Sequence, residues 1–179
     1  QATINAKDRR TNPVMMSMAL EAIRAIAAYL PTVVMEPGNL EAREQVLYGA
    51  ALAGAALGAG VTSLHHRLCH TLGGSFNAPH AETHTILLPY SVAYAASAVP
   101  DLMAHIAEAL GVDDAAQGIH DLSSSMGLPT SLRYIGIGEK DLVKIADITT
   151  EAPVENPTPV TRDGVLELLQ NAYRGTRPA

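Results

Sequence analysis

Five of the seven histidines in this chain fall between His65 and His84, in the stretch HHRLCHTLGGSFNAPHAETH. His66 and His70 are four apart, so on a helix both rings leave the same face. That is a recurrent ligand spacing, because two imidazoles one turn apart can reach one ion. Gly73, Gly74 and the SFNAP segment read as the break that ends this helix. Asn77 reads as the cap of the next, with Pro79 in its first turn, where a missing N–H costs nothing. His80 then sits near a helix N-terminus, where the dipole favours a neutral ring, and His84 follows one turn later. Two helix ends meeting across a short turn can carry both pairs to one cleft. The chemistry on offer is metal ligation or proton transfer; the competing reading is separate, half-buried packing histidines, each satisfied by one hydrogen bond.

A complete divalent site commonly adds a carboxylate. Glu82 is near in sequence but is expected to leave the helix on another side from His80, while Asp8 and Asp101 are candidates without a geometric argument. The residue after His66 is Arg67, so the HExxH metalloprotease pattern is absent, as is a GxSxG nucleophile elbow. Ser123 to Ser125 read as the polar end of a helix. Cys69 is read as a small core residue, since adjacent helix positions diverge by about 100° and turn it away from His70.

The elements that must position these groups are helical. Asn12-Pro13 starts a first helix whose Met15, Met18, Ala22, Ile23, Ile26 and Leu30 follow the 3.6-residue period, ending near Pro31 or by Val34. Asn39 caps a second, expected to be the central one: it is apolar all round, and Gly49, Gly54 and Gly58 suggest close approach of its neighbours. It is expected to lead directly into His65 and His66. A third helix runs from about Ala78 to Val99, bent or divided at Pro89. Further helices are expected from Pro100 to Leu110, from Asp113-Asp114 to Met126, from Glu139 to about Ile148, and from a Thr161 cap onward. No stretch alternates with period two. The fold class is all-α, a single helical domain over 1–179, with 1–12 a ragged start or linker.

Bulk composition narrows the function classes. The chain has 179 residues, 47% hydrophobic, with one Phe, six Tyr and no Trp, which suits close-packed helices better than a sandwich of strands. A net charge of −6 leaves no basic footprint for nucleic acid. One cysteine excludes an internal disulfide and suits a reducing compartment, so the expected localisation is cytoplasmic. Gln45 to Leu64 carries no charge and is long enough to span a bilayer, but it is rich in Ala and Gly and lacks aromatic belts; it reads as an internal helix, with no membrane partner.

The run from Gly60 to Pro89, with HHRLCHTLGGSFNAPHAETHTILLP at its heart, resembles the C-terminal domain of the iron-containing alcohol dehydrogenase superfamily, and within it the maleylacetate reductase branch. NPVMMSMALEAIRAIAAYLP, NLEAREQVLYGAALAG and the ENPTPVT segment before the last helix are similar to the same branch, so the resemblance covers roughly residues 8 to 175. It implies the helical half of a dehydroquinate synthase-like fold. The active site would lie between this half and an N-terminal α/β nucleotide-binding domain, expected to be absent from these 179 residues.

The resemblance further implies NADH or NADPH as cofactor, a divalent metal (Fe or Zn) in metal-dependent members, and maleylacetate or a similar oxo-acid as substrate. His66 and His80 match metal-ligand positions, and His70 matches a position implicated in proton transfer. His84 and Arg67 are candidates for substrate binding, the latter because the substrate is a dianion; an exposed helix arginine is the competing reading. The family's further Asp and His ligands are expected upstream of Gln1. A homodimer is expected, and this chain by itself should not transfer hydride. The alternatives are a non-catalytic helical oligomerisation or binding module, another reductase of the iron-containing alcohol dehydrogenase type, or a small metal-dependent hydrolase, which would need a carboxylate converging on His66 and His80.

Overall fold

A computed structural model describes residues 12–179, and these are helical, with no strand among them. The ragged start and the candidate Asp8 lie outside the described residues. Eight α-helices follow in order: α1 Pro13–Met35, α2 Leu40–Ala59, α3 Leu64–Phe76, α4 His80–Ala96, α5 Pro100–Leu110, α6 Ala115–Ser125, α7 Leu142–Thr150 and α8 Arg162–Arg174. Short 3-10 turns at Leu132–Ile135 and Glu139–Asp141 lie between α6 and α7.

The caps sit where polar residues precede apolar periodicity. Asn12 accepts from the Met15 amide at 3.1 Å, Asn39 from Ala42 at 3.0 Å, Asp114 from Gln117 at 2.8 Å and Thr161 from Gly164 at 3.2 Å. Each satisfies one of the orphan amides of a first turn. α1 continues through Pro31 to Met35, and α4 continues through a buried Pro89.

The central helix is α4, not α2. On one side of α4, Ile86, Leu87 and Tyr90 join Leu64, Leu68 and Leu72 of α3, Leu142 and Ile145 of α7 and Val165, Leu168 and Leu169 of α8 in one core. On the other, Val92 and Ala95 pack with Leu102, Met103 and Ile106 of α5 and Ala115 and Ala116 of α6, against Met16, Leu20 and Ile23 of α1. By contrast α2 buries only Ala42, Gly49 and Ala56, and it exposes Leu40 (79%), Leu47 (68%), Tyr48 (47%) and Leu57 (42%). Apolarity all round does not by itself make a helix internal; it requires partners on every side, and α2 packs chiefly on α1.

Close approach explains one of the α2 glycines. A Cβ on Gly49 would stand 2.8 Å from Ile26 Cγ1 and 3.2 Å from the Ala22 carbonyl, whereas Gly54 and Gly58 have nothing within 4 Å. α2 also stops at Ala59. Gly60 caps it, and α3 leaves at 97° after a break of a few residues, so Gln45 to Leu64 is not one straight helix. By length and composition alone α1 could cross a membrane, a test that internal helices of soluble proteins also pass.

Candidate functional site

His65, His66 and His70 lie on α3, and His80 and His84 lie on α4, so the turn between these helices sets the geometry. That turn differs from the expected one. α3 runs through Gly73 and Gly74 to Phe76, because Leu72 is fully buried and Phe76 packs on the same core. This anchoring outweighs a propensity cost of about 1 kcal/mol per glycine. Asn77 ends α3 rather than starting α4: it is left-handed at φ 53°, and the amides of Asn77 and Ala78 both return to the Leu72 carbonyl. Pro79 is the residue that precedes α4, in an extended conformation, and its carbonyl accepts from the Thr83 hydroxyl at 2.6 Å.

The turn folds the two helices so that five imidazoles form one patch. The ring centroids of His66 and His70 are 6.0 Å apart, those of His66 and His84 5.1 Å, and those of His80 and His84 4.3 Å. His65 completes the patch from beneath, 4.9 Å from His84 and 5.6 Å from His66. Exposure is graded: His70 and His80 are exposed, His66 and His84 half-buried, and His65 buried. The histidines named for proton transfer and ligation thus share one surface through His84.

Burial, with the neighbouring imidazoles acting in the same direction, keeps the deeper rings neutral. Burial lowers the His65 pKa to about 3 and that of His84 to about 4, with the other rings adding repulsion. His66 is lowered too, by burial first and then by His70. Neutral imidazoles are the form that ligates a metal or accepts a proton.

Sequence reasoning passed over His65. Its Nε2 lies 3.0 Å from His84 Nδ1, its Nδ1 lies 3.4 Å from Ser91 Oγ, and Cys69 Sγ is 3.8 Å from the same Nε2. The signal was present in the spacing: 65 and 69 are one turn apart, and 84 and 91 are two turns apart, so each pair shares a face. Cys69 is a buried core residue, as expected, and burial pushes its thiol up to about 12.

Arg67 points its chemistry elsewhere. Its Nη2 and Nε donate to the carbonyls of Ile148 and Thr149 at 3.2 and 3.3 Å, the last turn of α7. A cation at a helix C-terminus satisfies orphan carbonyls and complements the dipole. Arg67 is half-buried, so it is not the exposed helix arginine of the competing reading.

The chain belongs to the iron-containing alcohol dehydrogenase family. Residues 7–173 match the model of the C-terminal part of that family, described as Fe-containing alcohol dehydrogenase family, C-terminal. The chain is 48% identical over 173 residues to the maleylacetate reductase of Rhizobium sp. (strain MTP-10005), covering 97% of this chain and 48% of that protein. It is 48% identical over 168 residues to that of Burkholderia cepacia, covering 94% and 48%. The crystal structure of the Rhizobium enzyme superposes with a TM-score of 0.93 at 46% identity, and that of maleylacetate reductase from Agrobacterium tumefaciens with 0.94 at 44%. Each match covers 99% of this chain and 50% of the other. The chain therefore spans about half the length of the curated relatives it matches, and its all-helical architecture is that of the family's C-terminal domain.

The family's name implies iron, and the donor set can be tested against it. The cluster offers imidazole nitrogens held neutral, and the buried His84 Nε2 has no hydrogen-bond partner among the described residues. Both features fit the nitrogen side of a divalent site. Among the described residues, the donors lying within 4.8 Å of one another are His65, Cys69 and His84, and no carboxylate joins them. A carboxylate ligand would have to come from outside this group. The converging carboxylate that a stand-alone metal-dependent hydrolase needs is not part of it either.

Proposed function

We propose that the protein carrying this chain is an NADH- or NADPH-dependent reductase of maleylacetate or a similar oxo-acid, and that α3 and α4 supply the wall of its reaction site. The observation that supports this most is the five-histidine patch, graded from exposed to buried, in a chain 48% identical to maleylacetate reductases. The nicotinamide, when bound, supplies hydride, and Fe or Zn, when bound, supplies Lewis acidity. His66 and His80 would hold that metal, or donate hydrogen bonds to the reacting oxygen where no metal is used. His70, exposed at the rim beside His66, would donate the proton that accompanies hydride addition to the substrate's carbon–carbon double bond. His84, between His80 and His66, would orient the substrate. Arg67 we assign to holding α7 rather than to the substrate.

The partners in this reading are an N-terminal nucleotide-binding domain and, through a homodimer, a second subunit. The exposed Leu40, Leu47 and Leu57 of α2 are consistent with such cover. A cytoplasmic location follows from the chemistry of a soluble metabolic reductase. The test is maleylacetate-dependent oxidation of NADH and of NADPH by the full-length protein and by this chain alone, with elemental analysis of both. Turnover by the full-length protein and none by the chain is expected. Absence of turnover with either nucleotide in the full-length protein would remove the reading.

A further inference from the structure

We propose that His65 is a positioning residue: within the line Ser91–His65–His84 it holds His84 as the Nδ1–H tautomer, leaving a bare Nε2 in the histidine cluster. Two nitrogens 3.0 Å apart share one proton, so the contact between His65 Nε2 and His84 Nδ1 fixes both rings at once. There are two assignments, and the neighbours decide between them. His65 Nε2 also faces the thiol of Cys69 at 3.8 Å. A thiol is a donor, and its group here is buried. With Nε2 as the acceptor, both the Nδ1–H of His84 and the S–H of Cys69 point at a lone pair. With Nε2 as the donor, the thiol hydrogen loses that acceptor. The accepting Nε2 places the His65 proton on Nδ1, where Ser91 Oγ accepts it at 3.4 Å.

The consequence lands on His84 Nε2, which is buried and has no hydrogen-bond partner among the described residues. An N–H there would face no acceptor among the described residues, whereas a bare lone pair can ligate a metal or accept a hydrogen bond from a neighbouring imidazole. His65 touches no reacting atom in this arrangement. It acts through His84, as the outer partners of ligand and acid–base histidines do when they set ring orientation and tautomer.

The functional half of this proposal rests on reading the cluster as the reaction site, but the tautomer does not. Long-range proton–nitrogen correlation on the full-length protein with 15N-histidine, His84 being assigned by loss of its signals in His84→Asn, reads the tautomer directly. A protonated Nδ1 and a bare Nε2 are expected. In His65→Leu the His84 signals should move to a mixture of tautomers, and in His65→Gln, whose amide oxygen can still accept, they should return towards wild type. Ser91→Ala, a smaller change, should weaken the preference and serves if His65→Leu does not fold. Alongside, kcat should fall about 10- to 100-fold in His65→Leu with KM changed far less, and His65→Gln should recover most of it. A wild-type His84 protonated on Nε2, or a tautomer indifferent to His65→Leu and Ser91→Ala alike, overturns the proposal. Retention of the tautomer pattern in a protein with no reductase activity would instead overturn only the proposed function.

Discussion

The rings of His66 on α3 and His84 on α4 lie 5.1 Å apart, centroid to centroid, although the two residues are separated by a helix end, a left-handed Asn77 and a new helix start. That contact joins the α3 pair to the α4 pair. It also concentrates several imidazoles in a partly dry place, which gives the fold a pH dependence.

The histidines should destabilise the fold in mild acid. The folded pKa of His84 is lowered to about 4 and that of His65 to about 3, below an unfolded value of 6.5, so below neutrality the unfolded chain binds more protons than the folded one. The stability is fully present above 6.5 and is lost progressively as pH falls through the window towards those folded values. Thermal melts between pH 7.5 and 5 should show a falling midpoint. His65→Gln should flatten that dependence, and an unchanged slope would show that other groups carry it.

Removing the ring at position 70 should cost activity, not structure. His70 is exposed, so His70→Ala should leave the stability within about 0.5 kcal/mol of wild type while lowering kcat of the full-length protein by about 10²- to 10⁴-fold. Steady-state kinetics beside a melt check both halves. Full turnover in the variant would take His70 out of the mechanism.

Arg67→Ala should do the opposite. Two bonds to the last carbonyls of α7 are lost, and a cost of about 1–3 kcal/mol is expected for charge-assisted bonds at a half-buried site. The KM for the oxo-acid should hardly move, and amide exchange should quicken at the end of α7. A raised KM with unchanged stability would return Arg67 to the substrate.

Asn77 carries the turn that brings the two helices together. It is the one non-glycine among the described residues with positive φ, at 53°. Asn77→Gly should be tolerated, whereas Asn77→Val should cost about 1–2 kcal/mol and shift His80 relative to His66. Denaturant midpoints test the first effect. If Asn77→Val is neutral, the left-handed turn is not what holds the patch.

Two glycines of one helix should respond with opposite sign. Gly49→Val drives a branched side chain into Ile26 and the Ala22 carbonyl, at an expected cost of about 1–3 kcal/mol. Gly54→Ala meets nothing within 4 Å and should stabilise by up to about 1 kcal/mol. Equal effects at both positions would contradict the α1–α2 packing described.

The helical character of this chain, the caps at Asn12, Asn39, Asp114 and Thr161, and the helix from Pro100 to Leu110 were legible in the sequence. These features depend on residues three or four positions apart, and a helix is built from such local terms. The HHRLCH spacing was readable for the same reason. The rank of the helices was not. α2 is as apolar as an internal helix, yet it faces outward, and α4 became the centre because α3, α7 and α8 packed on one side of it and α5 and α6 on the other. Asn77 suits either end of a helix, and only the burial of Leu72 and Phe76 decided which end it closes. His65 and Arg67 sit beside His66 in the chain, but their partners, Ser91 and His84 for one and the end of α7 for the other, are 19 or more positions away. Local spacing determines which face a side chain leaves from; what it meets there depends on how distant segments pack, and that is a property of the folded chain alone.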